Sequence, residues 1–150
     1  MDHIEIRSPA FNDRDSVPPR YAHDHDNVSP PLQWTGVPAE ASELVLLCED
    51  PDAPSGTFLH WLVTGIDPSA DGIGEGEKVA GARVWANGFG EPGWGGPQPP
   101  KGGGPHRYIF SLYALDHPAQ LPARPSAGDV RAVLDREALA SGSLVGTYQR

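Results

Sequence analysis

Histidine follows a proline-rich stretch in two separated tracts, accompanied by aspartates in the first and by tyrosine in the second. The first is Asp50-Pro51-Asp52-Ala53-Pro54 followed by His60-Trp61; the second is Gly96-Pro97-Gln98-Pro99-Pro100-Lys101 leading into His106-Arg107-Tyr108. Imidazole and phenol groups can donate hydrogen bonds to an oxyanion, and imidazole titrates near neutrality, so it can gain charge as an anion arrives. His60 lies in Phe58-Leu59-His60-Trp61-Leu62-Val63. Strand alternation puts it on one face with Phe58, Leu62 and Thr64, opposite Trp61. A histidine in such an apolar run is ordinarily a hydrogen-bonded core residue. His106 changes that weighting, because alternation sets it beside Tyr108, with Arg107 on the opposite face. Asp50 and Asp52 share a face if the preceding strand continues through them. Two carboxylates that close repel, so the site must supply donors or a proton. By residue type alone the segment is a polar turn, with Ala53-Pro54 a candidate cis peptide.

Other tracts look chemical and are set aside. Gly88-Phe89-Gly90-Glu91-Pro92-Gly93 spells a dinucleotide fingerprint, but no helix can follow it through glycines and prolines that recur as far as Pro105. Pro97 to Gly102 lacks phosphate-loop spacing and suits a stiff, polyproline-like rim. His23-Asp24-His25-Asp26 alternates metal-ligand types without a third ligand at recognisable spacing, so it is read as a solvated loop. No metal or other cofactor is expected. Cys48 sits in the apolar run Leu44–Cys48 as a buried, inert thiol, and no Gly-x-Ser-x-Gly is present, so nucleophilic catalysis has little support.

The elements that must position these groups are strands. The 150 residues suit one domain, residues 1–150, and carry 18 Gly and 17 Pro alongside 4 Trp, 4 Tyr and 4 Phe, which points to a loop-rich β-fold rather than disorder or a helical bundle. Leu44–Cys48, Phe58–Ile66 and Tyr108–Leu115 read as strands, with Val79–Trp85 a lesser candidate and Met1–Arg7 an edge strand. Asp13–Pro31 reads as a long surface loop. Ala86–Pro105, with eight glycines and five prolines, is too broken for regular structure. One helix begins at a Ser126–Asp129 capping box, carries Val130, Val133 and Leu134, and stops at Gly142, before a last strand Leu144–Tyr148. The expected fold is mainly β, an antiparallel sandwich with long loops and one or two short peripheral helices. A net charge of −9 disfavours nucleic-acid binding, and no run is long and apolar enough to span a membrane. A cytoplasmic location is the expectation.

The chain resembles the phosphatidylethanolamine-binding protein family, in particular its small bacterial, Raf-kinase-inhibitor-like members. The blocks that carry the resemblance run from Ser29-Pro30-Pro31-Leu32-Gln33-Trp34 through both tracts above to Leu112-Tyr113-Ala114-Leu115-Asp116 and Leu144-Val145-Gly146-Thr147-Tyr148. The resemblance implies a β-sandwich with a small surface cavity for phosphate-like or carboxylate anions. It places Asp50, Asp52, Pro54, His60, Pro100, His106 and Tyr108 at that cavity. Asp50 would orient a histidine or meet an ammonium group, the histidines would bind the anion, Tyr108 would donate its hydroxyl, and the prolines would line the mouth. Gln98 stands where bacterial relatives often carry cysteine. The leading expectation is a non-catalytic binder of a small anionic ligand or a phosphorylated protein, with a homodimer implied by the resemblance. The alternatives are an acid–base enzyme using the same pocket, and a kinase or protease modulator.

Overall fold

The computed structural model describes residues 2–150, so the Met1 end of the expected first strand lies outside the described residues. In chain order the strands are β1 (Asp2–His3), β2 (Glu5–Arg7), β3 (Leu32–Thr35), β4 (Glu43–Asp50), β5 (Phe58–Ile66), β6 (Gly72–Ile73), β7 (Arg83–Val84), β8 (His106–Leu115) and β9 (Ala140–Tyr148). A 3-10 turn covers Pro19–Tyr21, and helix α1 covers Ala127–Glu137. The molecule is mainly β and builds two sheets, one of six strands in the order β1-β9-β8-β4-β5-β7 and one of three in the order β2-β3-β6. The antiparallel expectation holds for these pairings except that of β1 with β9, which is parallel.

Strand β4 explains the long apolar run at its centre. Leu44, Leu46 and Cys48 face a cluster shared with Trp61, Val63, Phe110 and Leu112, and with Ile6, Trp34 and Ile73 of the smaller sheet. Val45 and Leu47 face the other way, into a second cluster with Leu62, Tyr113, Leu115 and the helix residues Ala127, Val130 and Leu134. A strand covered on both faces must be apolar at nearly every position, and β4 is. At its polar end, Glu49 turns to the helix side and binds the guanidinium of Arg131, Oε1 accepting from Nε at 3.2 Å and Oε2 from Nη2. This ion pair ties α1 to the sheet.

The capping box is present: Ser126 Oγ accepts from Asp129 N at 3.0 Å, and Asp129 Oδ2 accepts from Ser126 N at 3.1 Å. The expected stop at Gly142 is corrected, for α1 ends at Glu137 and Gly142 belongs to β9. Glycine is needed there because a methyl group would fall 1.8 Å from the Ile4 carbonyl oxygen. Three other expectations change. Met1–Arg7 is not one strand: β1 and β2 join different sheets on either side of Ile4. The Asp13–Pro31 loop does not stay on the surface, since Val17, Tyr21 and Ala22 are buried in it. Val79–Trp85 contributes only the two paired residues of β7, and all described peptides, Ala53-Pro54 included, are trans.

Candidate functional site

The ends of β4, β5 and β8 meet the glycine- and proline-rich loop around a cavity of 180 Å³. Asp50, Pro54, His60, Pro100 and His106, all singled out from the sequence, line it together with Ala53, Phe58, Phe89, Gln98 and Pro99. The two histidine-bearing tracts therefore converge on one place.

Strand β5 carries His60 there through an irregularity. Cys48 pairs with Trp61 and Glu49 with Leu59, so the register slips by one residue and no residue of β4 stands opposite His60. Such a bulge redirects a side chain and is common beside binding sites. It also corrects the expected alternation: Leu62, assigned to the His60 face, packs on the helix side. The freed His60 instead meets the loop. Its Nδ1 donates to the Gly95 carbonyl at 2.5 Å, and its own carbonyl accepts from Gly95 N at 3.0 Å. Because a carbonyl can only accept, this contact assigns the ring proton to Nδ1 and leaves Nε2 as the other nitrogen. Burial, first, holds the His60 pKa below 6.5, against the opposing pull of the Gly95 carbonyl and the Asp50 carboxylate.

Asp50, buried at the end of β4, accepts from His106 Nδ1 at 2.7 Å and also from Asp52 N at 2.8 Å. This is the carboxylate–imidazole pair expected for an orienting aspartate. His106 and Tyr108 do alternate with Arg107 as β8 requires, and Arg107 points away. It closes a two-pronged pair with Asp52, Nε to Oδ2 at 2.9 Å and Nη2 to Oδ1 at 2.8 Å, while its amide donates to the same Oδ2. The guanidinium hydrogen bonds pull the Asp52 pKa down to about 2. Asp50 and Asp52 thus do not share a site. The strand stops at Asp50, the chain turns, and Asp52 faces the rim instead of the cavity.

Tyr108 also lies outside the lining. Its ring stands edge-on to His60 with centroids 5.2 Å apart, behind the cavity wall. Among the described residues the buried hydroxyl has no hydrogen-bond partner, and burial followed by the nearby Asp50 raises its pKa beyond the usual phenol range.

The wall opposite the histidines is the Ala86–Pro105 loop, and polar side chains hold it in shape. Asn87 Oδ1 accepts from Phe89 N at 2.9 Å, and Nδ2 donates to Gly93 O at 2.9 Å, closing the turn that presents Phe89. The 21–27 segment then clamps the loop. Trp94 Nε1 donates to Tyr21 O at 3.0 Å, Gly96 N to Asn27 Oδ1 at 2.8 Å, and His23 N to Pro97 O at 3.0 Å. His23, read from sequence as part of a solvated loop, packs on Phe89 with ring centroids 4.2 Å apart and planes tilted by 32°, whereas His25 is exposed. Phe58 and Phe89 were not anticipated as cavity walls. Phe89 is the one aromatic between Asn87 and Gly93, a residue that a solvent-filled loop would have no reason to keep.

Comparison with known proteins shows the family and the fold. The family model described as "phosphatidylethanolamine-binding protein" matches residues 7–149. The chain belongs to the phosphatidylethanolamine-binding protein family. A UPF0098 protein of Methanothermobacter thermautotrophicus is 41% identical, the match covering 98% of this chain and 99% of that one. Among solved structures, a phosphatidylethanolamine-binding protein homologue from Chlamydia trachomatis superposes with a TM-score of 0.86 at 32% identity, covering 100% of this chain and 99% of the other. E. coli YbcL, described as a member of the mammalian family, superposes with a TM-score of 0.89 at 26% identity over 99% of both chains.

Proposed function

We propose that this family member is a non-catalytic binding protein for a small anionic group, phosphate-like or carboxylate, held at the Asp50–His60–His106 cavity. The observation that carries the reading is the meeting of two imidazoles and an orienting carboxylate in one 180 Å³ recess. Such a recess fits a head group rather than an extended substrate. Apolar walls from Phe58, Phe89 and the prolines exclude water and strengthen each polar contact inside. Asp50 fixes the His106 ring, and Gly95 fixes the His60 ring, so both bases are oriented before a ligand arrives. Two packed sheets of a sandwich supply the rigid frame for this arrangement.

The test is a chemical-shift titration of the histidine ring protons with phosphate, phosphoethanolamine and acetate. Both His60 and His106 should shift together, and His106→Ala should weaken binding at least about tenfold through loss of one charge-assisted contact. Absence of any perturbation at millimolar anion refutes the assignment. The His106–Asp50 pair at 2.7 Å also supports a second reading, acid–base catalysis, since a carboxylate-oriented imidazole is a general base. Turnover of a small ester or phosphoester, abolished in His106→Ala, would favour that reading over simple binding.

A further inference from the structure

The two imidazoles each spend a hydrogen inside the protein. His60 Nδ1 donates to the Gly95 carbonyl and His106 Nδ1 donates to the Asp50 carboxylate. On each ring only Nε2 is left for the cavity, and on a neutral ring that atom is an acceptor. The groups facing these rings do not remedy this. Asp50 from β4 brings a carboxylate to the cavity itself, and among the described residues no Lys or Arg is part of its lining; Arg150 reaches only the outside of the wall, Nε donating to the Pro99 carbonyl at 2.7 Å and Nη1 to Asp24 at 3.3 Å. Arg107 of β8 is turned outward to Asp52. Tyr108 of β8 keeps its hydroxyl buried behind His60. His23, from the 21–27 segment, approaches from beyond Phe89, and a positive charge there opposes one on His60. A fully deprotonated anion would therefore meet lone pairs and a carboxylate in a recess walled in part by Phe58, Phe89 and prolines.

We propose that the cavity takes its anion together with a proton, shared between a ligand oxygen and an imidazole Nε2, and so selects phosphate monoesters over phosphate diesters. This rests on the anion-binding reading above and adds a ligand class to it. A monoester carries a P–O–H below its second pKa of about 6 and can regain that proton on binding at higher pH. A diester has no such hydrogen and can bind only where the protein supplies the charge. Burial of His60 disfavours an extra proton on that ring, so a hydrogen carried by the ligand is the less costly source.

Methyl phosphate and dimethyl phosphate differ in this hydrogen and little else. Isothermal titration calorimetry of the intact chain with each compound, in buffers of contrasting protonation enthalpy, counts the protons taken up. Methyl phosphate should bind with uptake of about one proton above pH 7, its affinity falling about tenfold per pH unit as the dianion takes over. Dimethyl phosphate should bind at least about tenfold more weakly at pH 7, through the loss of the hydrogen bond from the charged ligand to an imidazole Nε2. Equal affinities for the two compounds, or a flat pH profile for methyl phosphate, overturn the proton requirement while leaving anion binding in place. Failure of both compounds to bind at millimolar concentration overturns the anion-binding reading itself.

Discussion

Asp52 and Arg107 show how one residue step separates rim from cavity. Asp50 turns inward to His106, while Asp52, two positions on, meets a guanidinium at the surface. The Asp52 pKa of about 2 lies below its ordinary 3.8, so the folded chain holds this carboxylate ionised where the unfolded chain would protonate it. The stabilisation is thus complete above about pH 5 and disappears as pH falls through 2. With Arg107 more than half exposed, its size is modest, about 1 kcal/mol or less. Thermal unfolding of Asp52→Asn should show a midpoint slightly below that of the parent at pH 7 and equal to it near pH 2. A difference that persists at low pH would mean that the amide contact, not the charge, is what matters.

At the scale of elements, α1 is held by an apolar seam and by polar ties to the sheet side, chief among them the Arg131–Glu49 ion pair, with His117 on Glu137 and the Tyr113 hydroxyl on Asp135 beside it. Val130 and Leu134 are fully buried against the sheet, and Arg131 between them reaches Glu49, which is only 4% exposed. Removing Arg131 leaves a carboxylate enclosed by the sheet and helix without its partner, a loss of about 3 kcal/mol. Urea denaturation should register that loss for Arg131→Ala. The double variant Arg131→Met, Glu49→Met should recover most of it, because the vacated space is then apolar. The bulge in β5 is the other decisive element. Without the slip at His60, strict alternation would keep the imidazole on the Leu62 side, under the helix and away from Gly95.

Across the whole molecule, the cavity depends on three distant segments closing on one another: the strand ends, the 86–105 loop and the 21–27 segment. Gly96 marks the crossing of the last two of these segments, where a Cβ would lie 2.0 Å from the Tyr21 carbonyl oxygen, a backbone atom unable to move aside. Gly96→Ala should cost about 1–3 kcal/mol by overpacking and, by lifting the loop, should loosen the proposed anion site as well. Matched stability and ligand titrations of this variant would check both effects together. Unchanged ligand affinity with lowered stability would show that the loop's seating does not shape the recess.

The long strands, the capped helix and the kinship of His60 with His106 were legible from the chain alone, whereas Asp50, by residue type a turn residue, joined them only through the family resemblance. They rest on local physics: alternation and β-branched content for β4, β5 and β8, a reciprocal side-chain cap for α1, and ionisable residues in apolar surroundings. What local pattern could not supply was anything that depends on a partner distant in sequence. The two-residue strands β6 and β7 exist only because a neighbour pairs with them, and Gly142 is needed by the Ile4 backbone, not by the helix before it. Asp52 and Tyr108 stand beside cavity residues in sequence yet outside the lining, because a turn and a layer of side chains intervene. Phe89 and His23 come to the site through loop docking that no periodicity encodes. Residue types and spacing determined which groups could bind an anion; the meeting of three separate backbones determined which nitrogen of each imidazole is left to do it.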